Sequence, residues 1–328
     1  MKVLKFLGVF LAFVLITAFF LLYEADIPKD VIDARYLSPA SQYLDLGDSG
    51  RIHYRDEGNR RNNTIVLLHG SNASLHTWEP WVARLSADYR VISLDLPGHG
   101  LTGEVPADQY NHDSYIAVIE SLTSHLVVDS FILAGNSMGG GVAWRFALSH
   151  SERLDGLILI DSGSPAAWNI EEDSGNDVLA FSLLRRPWFR TIAERLDPYY
   201  MTVQGVKVAY NNAAMINDDL IMRYYDLNMR AGTRRATMIR FAQEFTDEKP
   251  DLSQINVPTL IMWGKADRLM PFKHAGRFKE LIPFAKTAYY DNVGHMPMEE
   301  TPEQSANDLI RFLQSLDLDN LPDPEQPG

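Results

Sequence analysis

Short, almost uniformly apolar runs punctuate the chain: Ile65-Val66-Leu67-Leu68, Val91-Ile92-Ser93-Leu94, Phe131-Ile132-Leu133-Ala134, Leu157-Ile158-Leu159-Ile160 and Leu260-Ile261-Met262-Trp263. A strand with one wet face alternates apolar and polar residues, so runs this uniform predict parallel strands covered on both faces. Amphipathic spacing predicts helices between and after them, near residues 75–87, 111–127, 138–150, 273–282 and 302–316. Ahead of the first run, 42–46 and 51–55 flank Gly47-Asp48-Ser49-Gly50 and read as a hairpin, with Ile52 and Tyr54 alternating. Strand and helix signals in regular alternation predict an α/β fold with a mostly parallel, doubly wound sheet.

One interval breaks the alternation. Residues 164–256 hold no convincing buried strand, yet they carry helix signals: Pro187 opens a stretch that ends before Pro198, and Asn217-Asp218-Asp219 caps a helix ending near Gly232. An insertion between two sheet strands sits at the sheet's carboxyl edge, so it is expected to form a helical cap. The expected organisation is an N-terminal helix over 1–23, a linker over 24–41, core over 42–163, cap over 164–256, core again over 257–316 and a flexible tail over 317–328.

The N-terminal helix is read from Lys2 and Lys5, followed by an uncharged run from Phe6 to Tyr23 and then by Glu24, Asp26, Lys29 and Asp30. That run is close to the ~20 residues that span a bilayer and longer than the apolar core of a signal peptide. With Tyr23 where a small residue would be needed for cleavage after Ala25, an uncleaved transmembrane signal anchor is expected rather than a cleaved signal peptide. The lysine-first charge order places the remainder outside the cytoplasm, in a bacterium on the periplasmic face of the inner membrane. The membrane is thus an expected partner through this helix.

Composition narrows the function classes. A formal net charge of −13 argues against nucleic acid as a partner. The absence of cysteine excludes disulfides, a thiolate nucleophile and cysteine-ligated zinc; no metal site is expected. Oligomeric state is not legible.

Candidate chemistry gathers where predicted strands end. Gly135-Asn136-Ser137-Met138-Gly139 joins a strand to a helix, the setting in which a serine is exposed on a strained turn and small neighbours let the backbones approach. Ser137 is the expected nucleophile, and the Met138 N–H at the helix start an expected oxyanion donor. His69-Gly70-Ser71-Asn72 closes an earlier strand, where a second donor is needed; Ser71 is the choice and Asn72 the alternative, Asn72 also being a candidate substrate contact. Downstream, Asp267 follows one strand and His295 the last. The order Ser, Asp, His matches that of one hydrolase architecture among the three common ones. His295 is the expected general base and Asp267 the acid that orients it, with Asp161, after the run 157–160, as the competing acid. His69 and His99 read as turn-shaping residues, and His112, His125 and His150 as surface or packing residues. In the cap, Arg185, Arg186, Arg234 and Arg235 read as a solvated face, and Trp188 and Tyr224 as candidate substrate contacts.

These motifs resemble the α/β-hydrolase superfamily over roughly residues 43–316. Leu133-Ala134-Gly135-Asn136-Ser137-Met138-Gly139-Gly140 and Pro258-Thr259-Leu260-Ile261-Met262-Trp263-Gly264 are similar to bacterial family V lipases and esterases and to membrane-anchored monoacylglycerol lipases. The resemblance implies an α/β-hydrolase fold with a helical lid and a Ser-Asp-His carboxylic ester hydrolase that needs no cofactor. Its substrates would be small to medium acyl or monoacylglycerol-type esters. Meta-cleavage-product C–C hydrolases and haloperoxidase-like enzymes share the same three residues, so C–C bond hydrolysis is the alternative reaction, and a hydrolase-fold ligand receptor with slow turnover the alternative of another class. Serine at the turn argues against the epoxide hydrolases and haloalkane dehalogenases, which resemble this pattern but carry aspartate there.

Overall fold

The computed structural model describes residues 6, 9, 10, 13, 14, 17, 19–165, 168, 186–243 and 250–319, with side chains as far as 316. An eight-stranded sheet organises them, built from β1 (Ser41–Asp45), β2 (Arg51–Gly58), β3 (Thr64–Leu68), β4 (Arg90–Leu94), β5 (Phe131–Asn136), β6 (Leu154–Ile160), β7 (Thr259–Gly264) and β8 (Lys286–Tyr290). Their spatial order is β1-β2-β4-β3-β5-β6-β7-β8. The β1–β2 hairpin is antiparallel, β2 runs antiparallel to β4, and every pairing from β4 to β8 is parallel.

The uniform apolar runs are uniform because both faces are covered. Within β3, Val66 and Leu68 join one core cluster and Ile65 and Leu67 the other, the two-residue period of a pleated strand. Helices α3 (His112–His125), α4 (Met138–Ser149) and α9 (Lys273–Leu281) cover the first face through Ile119, Trp144 and Phe278. Helices α2 (Glu79–Leu85) and α11 (Pro302–Asp319) cover the second through Trp81 and Leu309. Pro80 shortens the helix expected over 75–87: a 3-10 turn at Leu75–Trp78 precedes α2, since proline is tolerated only in a helix's first turn.

Between β6 and β7 the described residues form α5 (Pro187–Ala193), α6 (Tyr199–Ala209), α7 (Asp218–Met229) and α8 (Thr233–Gln243). Asn217 caps α7 as expected, its side chain accepting the Leu220 N–H at 2.9 Å. A short helix α10 (Pro297–Glu300) lies between β8 and α11.

Two expectations need correction. Among the described residues no helix is long and apolar enough to cross a membrane; most of residues 1–18 lie outside the described part. The expected transmembrane helix is therefore not found, and the membrane-anchored, extracytoplasmic localisation and the membrane as a partner fall with it. The described chain at the end of the apolar run and just after it is instead fastened to the segment between α5 and α6 and to the end of α7. Asp197 donates its N–H to Leu22 O (2.7 Å), Glu24 to Arg195 O (3.0 Å) and Ile27 to Met229 O (2.8 Å).

Second, the cap arginines are not all a solvated face. Arg234 is buried, with Nε on Asp26 at 2.8 Å and its other nitrogens on the Leu196 and Glu24 carbonyls. Arg230 likewise meets Asp33 at 2.7 Å, and Asp33 belongs to a helix α1 (Lys29–Tyr36) inside the expected linker. Burying a guanidinium is costly unless it is paired and hydrogen-bonded, and for these two arginines the acidic segment 24–36 supplies the carboxylates. Arg186 is exposed, Arg235 is half-exposed against Asp108 at 2.5 Å, and Arg185 lies outside the described residues.

Candidate active site

Strand β5 ends and α4 begins on either side of Ser137, whose backbone has φ +54° and ψ −120°. A serine in that region is strained by about 1–3 kcal/mol, and its surroundings hold it there. The Ser137 N–H donates to Ile160 O (3.1 Å), while its carbonyl accepts from Gly163 (2.7 Å) and Gly141 (3.0 Å). Gly135 is required two residues earlier, since a Cβ there would stand 2.3 Å from the Gly139 carbonyl oxygen. Ser137 and Met138 are half-buried at the surface of this turn. Met138 is the first residue of α4, so its N–H is one of the helix's orphan donors and points with the positive end of the helix dipole.

The loop after β3 packs directly against this turn: a Cβ at Gly70 would lie 3.0 Å from both Ser137 Cβ and Asn136 Oδ1. Ser71 and Asn72 follow, Asn72 in the left-handed region at φ +56°. Below them His69 is buried, accepting the Leu96 N–H on Nε2 (3.0 Å) and donating from Nδ1 to the Gly70 carbonyl (2.7 Å). Burial holds its pKa below the ordinary histidine value, so it is a neutral strut for the loop, in agreement with its expected structural part.

On the other side, β7 and β8 end together because a Cβ at Gly264 would fall 2.0 Å from the Gly294 carbonyl oxygen; only glycine permits that approach. Asp267 and His295 then meet, Oδ2 to Nδ1 at 2.7 Å, and both are buried. The other Asp267 oxygen accepts the Leu269 and Met270 N–H groups at 2.7 and 3.0 Å. Burial pushes the Asp267 carboxyl up, but the bond to His295 and the positive field of that ring outweigh it, and the net displacement is downward. An ionised Asp267 fixes the proton on His295 Nδ1 and leaves Nε2 as the acceptor. Asn136 ties this half to the serine turn, its Nδ2 donating to the His295 carbonyl (3.1 Å) and to Ile160 O (3.2 Å).

The remaining candidates separate. Tyr224 lines a small cavity with Asn72, Ala73, Thr77 and Arg223, and its hydroxyl bonds Tyr210 at 3.1 Å. That cavity backs onto Glu299, which accepts from Arg223 (2.7 Å) and Tyr210 (2.9 Å) and is also touched by Thr77. Trp188 stands 60% exposed against Phe189, on a helix whose described residues bury none of their side chains.

Three features went unread in the sequence. Arg240, 1% exposed on α8, reaches Ser71 Oγ (2.8 Å) and Asn72 Oδ1 (3.1 Å) and brings a guanidinium to the loop beside Ser137. Its signal was the stripe Thr233, Ala236, Thr237 and Arg240, one helix face of small residues ending in a cation. The Asn136 bridge had no sequence signal. Neither did a second Ser-His-Asp string, in which Ser41 Oγ lies 2.9 Å from His53 Nε2 and His53 Nδ1 2.7 Å from Asp95 Oδ2. It lies on the β1–β2 hairpin, where Ser41 is an ordinary strand residue without a helix behind it, and Asp95 also accepts the Leu75 and Leu101 N–H groups at 2.8 Å.

Known proteins repeat this architecture. The family model of the alpha/beta hydrolase fold matches residues 63–302. A 2-hydroxy-6-oxononadienedioate/2-hydroxy-6-oxononatrienedioate hydrolase of Paraburkholderia phymatum is 29% identical over 289 residues, spanning 83% of this chain and 95% of its own. A crystal structure of a meta-cleavage product hydrolase from Pseudomonas fluorescens superposes with a TM-score of 0.69 at 22% identity, covering 84% of this chain and 97% of that one. A membrane phospholipase A described as a bacterial virulence factor gives 0.68 at 24% identity, covering 96% and 99%.

Proposed function

Because the chain belongs to the alpha/beta hydrolase fold family, we propose that it is a serine hydrolase in which Ser137 attacks, His295 carries the proton and Asp267 orients His295. The observation that carries this reading is the 2.7 Å Asp267–His295 bond, joined through Asn136 to a serine on a strained strand-to-helix turn. The backbone N–H groups of Ser71 and Met138 receive the oxyanion, and α5–α8 form the cap over the site.

The reaction supported best is hydrolysis of a C–C bond beside a ketone in a dienoate that carries carboxylates. The relative from Paraburkholderia phymatum is named for such a dioate. Arginine is suited to carboxylate recognition, and Arg240 and Arg223 both approach the Asn72 loop. Ser137 Oγ adds to the ketone carbonyl while its proton passes to His295 Nε2. The adjacent C–C bond breaks, its electron pair remains with the dienoate fragment, and that carbon takes the proton. Water, deprotonated by His295, then cleaves the acyl-enzyme to a carboxylic acid and restores Ser137.

Ester hydrolysis is the second reading. Trp188, Tyr200 and Met201 on α5 and α6 are 60–71% exposed, an apolar outer face on the cap suited to lipid-derived esters. The two are separated by kcat/KM on a dienoate ring-fission ketone and on p-nitrophenyl butyrate. A ratio of at least about tenfold in favour of the ketone is expected; the inverse ratio transfers the assignment to esters, and turnover of neither, with Ser137 unacylated, overturns the hydrolase.

A further inference from the structure

Asp161 ends β6 beside the strand that carries Ser137, and nothing in the reaction just described uses it. Its side chain is fully buried and its backbone lies at φ +41°. Oδ1 accepts the Gly264 N–H at 2.9 Å, and its own N–H donates to Met262 O at 3.0 Å. One side-chain atom from each of Asp161, Asp267 and His295 lies within 4.8 Å of the others. Oδ2 of Asp161 is also buried, and no donor among the described residues reaches it. Two ionised carboxylates in a dry site repel strongly, and a buried oxygen without a donor is costly. Both costs vanish if that oxygen is itself a donor.

We propose that Asp161 is a positioning residue for the Ser137 unit: its Oδ2 carries a proton at neutral pH and donates it to the Asp267 carboxylate, which in turn holds Nδ1–H of His295. This rests on the serine-hydrolase reading. The pair then carries one negative charge, and Asp267 has each oxygen engaged by donors, which fixes the plane in which it presents itself to His295. The groups facing Asp161 are Asp267 after β7, His295 and Tyr290 at the end of β8, and Glu300 on α10. Burial, then the charge of Asp267 and the bond to it, push the Asp161 carboxyl well above the usual carboxylate range, against the pull of the Gly264 N–H.

The test combines infrared spectroscopy with pH–rate profiles of kcat/KM on the full chain. A protonated carboxyl stretch, resolved from ionised carboxylate bands, is expected at pH 7 in the parent and absent from Asp161→Asn. Asparagine tolerates positive φ and keeps both an acceptor for Gly264 and a donor for Asp267, so it is expected to restore most of the kcat lost in Asp161→Ala, about tenfold or more. Without the donor, Asp267 holds the imidazolium more tightly, and the acid limb of Asp161→Ala moves to higher pH, while that of Asp161→Asn stays with the parent. A parent without the band, or an Asp161→Asn limb displaced to lower pH by about a unit, means that Asp161 is ionised and overturns the proposal. If Asp161→Ala does not fold, the band and the Asp161→Asn limb still decide. Failure of the hydrolase reading is read separately, as unimpaired turnover in Ser137→Ala, and leaves the band as the measure of the proton.

Discussion

The Asn136 carboxamide donates to the main-chain carbonyl of His295 at 3.1 Å, so the residue before the serine holds the backbone of the histidine proposed to take the serine's proton. Ser137 and His295 are 158 residues apart and share no element. Replacing Asn136 with alanine removes that tie and the one to Ile160 O. We expect kcat/KM to fall about ten- to a hundredfold, the range for losing a residue that orients a catalytic group. The acid limb of the pH–rate profile should stay in place, because the Asp267–His295 bond is untouched. An unchanged rate constant would show that the backbone holds His295 without help.

Gly135→Ala should prevent the serine turn from closing. The added Cβ meets main-chain atoms of Gly139 and Gly140 at 2.3–2.6 Å, and backbone cannot step aside as a flexible side chain can. A loss of roughly 3 kcal/mol or more is expected, read by urea unfolding. Gly276→Ala on α9 is the contrast, with open space around its Cβ. It should stabilise by up to about 1 kcal/mol through helix propensity. Equal effects at the two positions would refute the packing argument.

The buried Asp95 predicts how the fold responds to acid. Burial pushes its carboxyl up, but the hydrogen bond from His53 and the charge of that ring outweigh it and depress it well below the ordinary value. In the unfolded chain it takes a proton near pH ~3.9, whereas the folded protein resists that proton. Its stabilisation is therefore complete above that pH and is lost as pH falls toward the folded value. Asp95→Asn should cost roughly 3 kcal/mol at pH 7, and the gap from the parent should narrow below about pH 4. A gap that stays constant from pH 7 to pH 3 in denaturant titrations would mean that Asp95 is held by geometry alone.

Arg240→Lys tests whether α8 shapes the loop that carries the proposed oxyanion donor Ser71. One guanidinium nitrogen spans Ser71 Oγ and Asn72 Oδ1 and the other meets Met138 Sδ at 3.6 Å, a fork that an ammonium does not reproduce. We expect kcat/KM to fall at least about tenfold with the lysine, and further with leucine. Parent-like kinetics in Arg240→Lys would reduce Arg240 to a generic positive charge.

What the sequence made legible follows the physics of each element. The runs at 65–68, 91–94, 131–134, 157–160 and 260–263 all fall within strands, because burial on both faces leaves an unmistakable apolar block. β8, with the pattern Lys286-Thr287-Ala288-Tyr289-Tyr290, was only implied by the motif after it, since an edge strand with half-exposed residues makes no such block. Helices α6 and α8 were missed for a related reason: α8 mixes three arginines with small residues, so neither face reads as apolar. The helix α1 hid in a linker because only Ile32 is fully buried there and its other ties, among them the ion pairs of Arg35 with Asp226 and of Asp33 with Arg230, are to residues far away in the sequence. Ser137 and Asp267 could be named as candidates because each follows a strand signal, and His295 because it completes the order Ser, Asp, His downstream of them. Arg240 and Asp161 take their meaning from neighbours that only the fold brings together.

Covalent labelling with a fluorophosphonate, followed by peptide mapping, puts the role of Ser137 to the test. One adduct per chain is expected, on the peptide carrying Gly135-Asn136-Ser137-Met138-Gly139, with none in Ser137→Ala and labelling slowed by orders of magnitude in His295→Ala. An adduct on Ser41, or hydrolytic turnover that survives in Ser137→Ala, would contradict it.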